Sequence, residues 1–256
     1  MKKTFKIFSF VLLICLSLTG CKKQRTKLVI GIDASFPPMS FMQDGKITGF
    51  DVELAAEVAK RLNLEFEAKP IDWKNKDKEM QQGTIDCIWS GFTILEEREK
   101  QYAFTKPYLS NEQILVLNDD TDITSLSQVK NFVIGCQSYS SAENAINASP
   151  SFYSSVKSII YSDDYLKALE DLKDRKVDGI VMDSVVAKYL ITVADEPFVI
   201  IDEPLAHENY GIGFKKGKEG EELRNQVWQT LQQMQHDGTV TAISIKWFGQ
   251  DISKIN

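Results

Sequence analysis

Three places along the chain set hydroxyl, guanidinium or carboxylate side chains where an apolar strand gives way to a helix. The first is Ser90-Gly91-Phe92-Thr93-Ile94-Leu95-Glu96-Glu97-Arg98. Thr93 and Glu96 have the spacing of a capping box. That predicts a helix starting near Thr93, with its free N–H groups and positive dipole end at the strand terminus. Arg98 lies within reach of the same spot, and a guanidinium grips a carboxylate through two parallel hydrogen bonds. The second place is Gln137-Ser138-Tyr139-Ser140-Ser141-Ala142-Glu143. Ser140 and Glu143 repeat the capping spacing and offer a second helix N-terminus to an anion. The third is Asp183, which follows the apolar strand Gly179-Ile180-Val181-Met182 and precedes a helix. A carboxylate at a strand end inside a cleft is a partner for an ammonium group. Plainer roles exist for each: a capped surface helix with solvated charges for Thr93 and Arg98, and a simple N-cap for Asp183. Together the three supply two carboxylate grips and one ammonium grip, which is what a zwitterion requires.

A fourth carboxylate, Asp33, ends the first strand and should face the same pocket. It either contacts ligand or braces the turn around Phe36. In the first case the ligand side chain must be a donor: guanidinium, ammonium, imidazole or amide. His207 and His236 are far apart and lack a Cys or His neighbour at ligand spacing, so neither a metal site nor a cofactor is expected.

These groups need strands to end beside one another. Leu28–Ile32 reads as a buried strand, and Phe50, Leu54, Val58 and Leu62 recur every four residues, the apolar stripe of an amphipathic helix. Leu64–Pro70 reads as a second strand, and strand, helix, strand begins a doubly wound α/β layer. The pattern continues through a helix at Lys76–Gln82 and strands at Ile85–Ser90 and Gln113–Leu117. A fresh series starts at Val129: strand Phe132–Cys136, helix Ala142–Ala148, strand Ser158–Tyr161, helix Asp164–Asp174, strand Gly179–Met182, helix Ser184–Val193 and strand Pro197–Ile201. Two such series imply two α/β lobes. The segment after Tyr210, with a long helix through Leu223–Asp237, does not start a third. It is expected to return to the first lobe, giving two crossover strands and a cleft between lobes. The resulting division is residues 28–113 plus 208–256 for lobe 1 and 114–207 for lobe 2.

The N-terminus has Lys2, Lys3 and Lys6, then an apolar run from Ile7 to Leu18, then Leu18-Thr19-Gly20-Cys21. That is the order of a secretory signal peptide over residues 1–20. The apolar run is too short for a permanent membrane span. Leu-x-Gly-Cys resembles the lipobox, which implies a diacylated Cys21 at the head of a polar tether, residues 21–27. Two acyl chains suffice for stable anchoring. Without residues 1–20 the chain keeps 27 basic and 36 acidic residues, a formal charge of −9. That argues against nucleic acid as a partner and against adhesion to anionic lipid through charge. Cys87 and Cys136 sit in apolar segments and read as buried free thiols.

From Leu28 to Gly249 the chain resembles the solute-binding proteins of polar amino-acid ABC importers, solute-binding protein family 3. The stretches that carry the resemblance include Ile32-Asp33-Ala34-Ser35-Phe36-Pro37-Pro38-Met39-Ser40-Phe41, Gly49-Phe50-Asp51-Val52-Glu53-Leu54, Phe104-Thr105-Lys106-Pro107-Tyr108, Lys176-Val177-Asp178-Gly179 with Asp183, and Lys246-Trp247-Phe248-Gly249. The resemblance implies a type II periplasmic-binding-protein fold and a monomer that delivers its amino acid to an ABC permease. It also implies roles: Arg98 for the α-carboxylate, helped by Thr93 and by the helix start near Ser140 and Ser141. Asp183, with Ser90 or the carbonyl of Gly91, would take the α-ammonium. Phe36 and Trp73 would be aromatic walls, with Phe50 close by, and Asp86 and Asp178 turn residues that support the fold. Where the family usually has glycine this chain has Tyr139, which either alters the pocket or forces a positive φ on a residue that resists it. The rivals on the same scaffold are an extracytoplasmic dehydratase-like enzyme, with Glu112, Asp33 and Asp183 as candidate acids, and a sensor module.

Overall fold

The computed structural model describes residues 25–193 and 195–256. The signal segment, Cys21 and the start of its tether lie outside these residues. In chain order the elements are β1 (Lys27–Ile32), β2 (Ser35–Phe36), β3 (Ser40–Gln43), β4 (Lys46–Thr48), α1 (Phe50–Arg61), β5 (Glu65–Pro70), α2 (Lys76–Gln82), β6 (Cys87–Ile88), α3 (Glu96–Glu99), β7 (Tyr102–Phe104) and β8 (Leu109–Asn118). There follow β9 (Val133–Gln137), α4 (Ser141–Asn147), α5 (Pro150–Ser155), β10 (Ser158–Ser162), α6 (Tyr165–Lys173), β11 (Gly179–Asp183), α7 (Ser184–Thr192), β12 (Phe198–Ile200), β13 (Ala206–Tyr210), β14 (Gly213–Lys215), α8 (Lys218–His236) and α9 (Thr239–Phe248).

Two principal sheets result. In lobe 1 the order is β5-β1-β6-β14-β7, and in lobe 2 it is β10-β9-β11-β8-β12, with β13 also on β8. In lobe 1 β1 lies in parallel between β5 and β6, in lobe 2 β9 lies in parallel between β10 and β11, and each sheet is completed by antiparallel strands. The pairing of β14 with β6 and β7 carries the chain back to the first sheet. Strands β8 and β13 cross between the lobes. They pair with one another over five residues, from Ala206 opposite Gln113 to Tyr210 opposite Leu109.

The stripe read on α1 is the buried one: Phe50, Leu54 and Val58 are fully enclosed. The helix can start there because Gly49 has φ +133, where a Cβ would lie 2.3 Å from the Met39 carbonyl oxygen. Phe50 packs edge-on against Phe248, 5.1 Å between ring centres. It is therefore part of the lobe 1 core and not a wall of the cleft, which corrects the expectation for that residue. The aspartates before β6 and β11 act alike. Asp86 accepts from the Val29 N–H at 2.8 Å, and Asp178 from the Val133 N–H at 2.7 Å. Each ties a loop carboxylate to a backbone donor on the neighbouring strand. Cys87 and Cys136 are buried free thiols.

The helix expected near Thr93 starts at Glu96 instead, with Leu95 as an N-cap that makes no side-chain bond. Thr93 lies in extended backbone bridged to Tyr210. No capping box forms there, because tertiary partners take its hydroxyl. Two helices had no clear periodic signal, the six-residue α5 and the C-terminal α9.

Candidate functional site

Parallel strands aim their C-terminal ends at the space between the sheets, where open α/β layers hold ligands. Asp33 follows β1, Gln137 ends β9 and Asp183 ends β11. The three meet in one cavity with Phe36, Trp73, Ser90, Gly91, Arg98, Ser140, Ser141 and Tyr165. The free space is about 10 Å³, roughly one water molecule. The lobes are thus shut upon the site and must part to admit an amino acid. Of the residues expected from sequence, all but Phe50 and Thr93 line this cavity, and Thr93 is bonded to two that do, Arg98 and Ser141.

At one pole, Arg98 is 7% exposed. Its Nη1 donates to the Thr93 carbonyl at 3.1 Å and its Nη2 to the Tyr139 carbonyl of the other lobe at 3.4 Å. The guanidinium stacks over Phe92, 4.5 Å from the ring centre. No carboxylate among the described residues forms an ion pair with it. Ser140 caps α4 by accepting from the Glu143 N–H at 3.3 Å. Tyr139 does take a positive φ, 59°, and is 60% exposed.

At the other pole, Asp183 does not cap α7. Its carboxylate accepts from Tyr210 at 2.5 Å, Asn111 at 2.6 Å and Tyr165 at 2.9 Å. Complete burial, and then the charge of Glu208, push it up to about 8. The neutral donors around it offset that burial only in part, and an ammonium would offset more. Glu208, on β13, accepts through one oxygen from Asn111 at 2.6 Å, Gln113 at 2.9 Å and Thr93 at 3.0 Å. With its one hydrogen given to Glu208, Thr93 accepts from Ser141 across the lobes at 3.0 Å.

Asp33 braces its turn and also faces the cleft. One oxygen accepts from the Ser35 N–H at 2.8 Å and braces the turn. The other faces the cleft and accepts from Gln137 of lobe 2 at 2.6 Å. Burial raises its carboxyl, and those two donors lower it in part. Ser40 gives its only hydrogen to the Asp33 carbonyl at 2.8 Å, so in the 2.6 Å Ser40–Ser90 contact Ser90 is the donor. Ser90 also accepts from the Asp33 N–H at 3.1 Å. What it has left for a ligand is a lone pair, suited to an ammonium.

Aromatic walls come from both lobes. Phe36 stacks on Tyr165 with 5.6 Å between centres, and Trp73 sits edge-on to Phe92 at 5.8 Å. Gly91 lies between Phe36 and Tyr210 at φ +53, where a Cβ would be 2.4 Å from the Phe36 ring. Behind it, buried Asp51 accepts from the Gly91 N–H at 2.7 Å and fixes the turn.

Sequence reading missed Asn111, Gln113, Gln137, Tyr165, Glu208 and Tyr210 as site residues. One signal was present: in Ser110-Asn111-Glu112-Gln113 the alternate residues Asn111 and Gln113 are 3% and 0% exposed, the period of a strand with a polar buried face. Glu112, a candidate acid, instead pairs with His207 at 3.0 Å on the opposite side of β8. Among the described residues no cluster of three His, Cys, Asp or Glu could hold a metal.

Two lobes, two crossing strands and a cleft with a cationic and an anionic pole define a binding protein for zwitterions of the type II periplasmic fold. The chain belongs to the bacterial extracellular solute-binding proteins, family 3, whose model matches residues 28–250, and it is a solute-binding protein for polar amino acids. It is 32% identical over 235 residues to the L-cystine-binding protein TcyJ of Escherichia coli K12, covering 91% of this chain and 86% of that one. An ABC uptake transporter substrate-binding protein from Streptococcus pneumoniae with bound histidine superposes with a TM-score of 0.85 at 32% identity, over 89% of this chain and 94% of that one. An ancestral arginine-binding protein bound to arginine gives 0.80 at 36% identity, over 88% and 99%.

Proposed function

We propose that this protein captures a free α-amino acid with a hydrogen-donating side chain, arginine foremost, then lysine, histidine or glutamine, and delivers it to an ABC permease. The observation that carries the reading is the placement of Arg98, Asp183 and Asp33 around one closed cavity. The first two match the charges of an amino acid backbone, and Asp33 remains for the side chain. Phe36 and Trp73 favour a flat cation, worth about 0.5–2 kcal/mol. Relatives and neighbours named for arginine and histidine support this class. Binding is favoured over catalysis because Asp33 and Asp183 are both engaged by neutral donors, with no nucleophile and base paired beside them.

Calorimetric titration of ligand-stripped protein with arginine, lysine, histidine, glutamine, glutamate and leucine tests it. Glutamate and leucine should bind at least about tenfold more weakly, since one places a like charge by Asp33 and the other leaves that carboxylate desolvated. Asp33→Ala should narrow this gap. Tightest binding by glutamate or leucine, or indifference to Asp33→Ala, would reduce Asp33 to a turn brace.

The anchoring of the protein follows from residues outside the described structure. Cys21 carries the lipid, on the outer face of the cytoplasmic membrane. Cys21→Ala should release the protein into the medium or periplasm, or leave it unprocessed, in a fractionation with metabolic lipid labelling. Undiminished label in that variant would place the anchor elsewhere.

A further inference from the structure

Lys76 opens α2 and is 6% exposed, yet no carboxylate among the described residues forms an ion pair with it. Its Nζ reaches two carbonyl oxygens at long range, Trp73 at 3.4 Å and Tyr139 at 3.5 Å. It lies 5.5 Å and 5.9 Å from the ring centres of the same two residues. Arg98 donates to that same Tyr139 carbonyl. Two cations of lobe 1 thus converge on one oxygen of lobe 2, and the left-handed backbone at Tyr139 is the turn in which that carbonyl sits.

A buried cation without an anion is costly, and two cations sharing one neutral dipole in a water-poor spot repel. With the lobes apart Lys76 loses Tyr139 and can be hydrated. Closing strips that water and leaves the charge to be compensated from inside the cleft. A carboxylate beside Arg98 brings a full negative charge and two acceptor oxygens to this place.

We propose that Lys76 is a second cation of the carboxylate pole, so that lobe closure depends on an anionic group beside Arg98, with Tyr139 as the cover that keeps water from the pair. The proposal rests on the amino-acid reading and takes the ligand's α-carboxylate as that anion. Burial and then Arg98 push the Lys76 ammonium down to about 8. Two acids face it: Asp77 on its own helix, which accepts from the Tyr102 hydroxyl, and Glu143 on α4, which accepts from the Tyr139 N–H at 2.7 Å. Both favour the charged form and neither forms an ion pair with it. A lysine kept only to fill space would be replaceable by methionine, whose unbranched chain suits the slot between two rings.

The test compares Lys76→Met and Lys76→Arg with wild type, titrating L-arginine against L-argininamide, which lacks the carboxylate charge. L-Glutamine and L-histidine with their α-amides serve as further pairs. The acid-to-amide affinity ratio should fall about tenfold in Lys76→Met, and Lys76→Arg should restore most of it. Ligand-free Lys76→Met should melt close to wild type, since with the lobes apart the ammonium is hydrated; a lysine kept for its bond to the Trp73 carbonyl predicts a lower midpoint. An unchanged ratio in Lys76→Met overturns the proposal. Wild type that binds none of the three acids would remove the amino-acid reading itself, and this proposal with it.

Discussion

Arg98→Ala should lower amino-acid affinity by about a hundredfold or more, because the α-carboxylate would enter a desolvated cleft without its paired donors. Arg98→Lys should still lose roughly tenfold or more, on the order of 2 kcal/mol, since an ammonium supplies a point charge in place of a planar fork. Circular dichroism should be unchanged in Arg98→Lys. The guanidinium is already held over Phe92 and by the Thr93 carbonyl, so little ordering cost remains when ligand arrives. Calorimetry that finds wild-type affinity in Arg98→Lys would remove Arg98 from the site.

Asp183→Asn should be of similar size, about a hundredfold in affinity, through loss of the charge that meets the α-ammonium. Its effect on the ligand-free protein has the opposite sign. In the folded state burial lifts this carboxyl from the ordinary 3.8 to about 8, so the folded chain holds a proton that the unfolded chain has lost. The corresponding stability is fully present below the unfolded value and is lost as pH rises towards 8. Ligand-free wild type should therefore melt progressively lower between pH 5 and pH 8, within the window set by those two values, and Asp183→Asn should flatten that slope. Asp33 and Asp51 are raised by burial too and contribute in the same direction, so the difference between variant and wild type is the quantity to read. Parallel melting profiles, or retained affinity in Asp183→Asn, would refute the assignment.

How far such a site can be read before folding depends on whether a residue's role is local. Ser140 caps the helix that follows it, and Phe50, Leu54 and Val58 mark their own buried stripe, because both effects act within one or two turns. Arg98 and Asp183 could be placed because each stands at the junction of elements visible in the sequence. Thr93 has the same local credentials as Ser140, yet its hydroxyl goes to Glu208 and Ser141, partners 115 and 48 residues away. The carboxylates and amides of the crossing strands escaped notice for that reason. Asn111 and Gln113 gain their meaning only when β13 lies alongside and brings Glu208 and Tyr210 to the same face. Asp33 shows both kinds of role in one side chain: its bond to Ser35 spans two residues and its bond to Gln137 spans 104.

The placement of β14 beside β6 has a bearing on how the molecule assembles. The lobe 2 sheet draws on one uninterrupted stretch, β8 to β13, whereas the lobe 1 sheet cannot be completed until Gly213–Lys215 reaches Cys87 and Ile88. Closing a longer loop costs more entropy, by about 0.6 kcal/mol for each doubling. Contacts so distant in sequence also slow folding. Lobe 2 is contiguous in sequence, while lobe 1 needs both ends of the chain. Arg98, Ser90 and Gly91 stand on lobe 1 segments whose sheet is closed only by that late strand. The pole that carries Arg98 therefore depends on both ends of the chain, whereas Ser140 and Ser141 stand in a lobe built from one stretch.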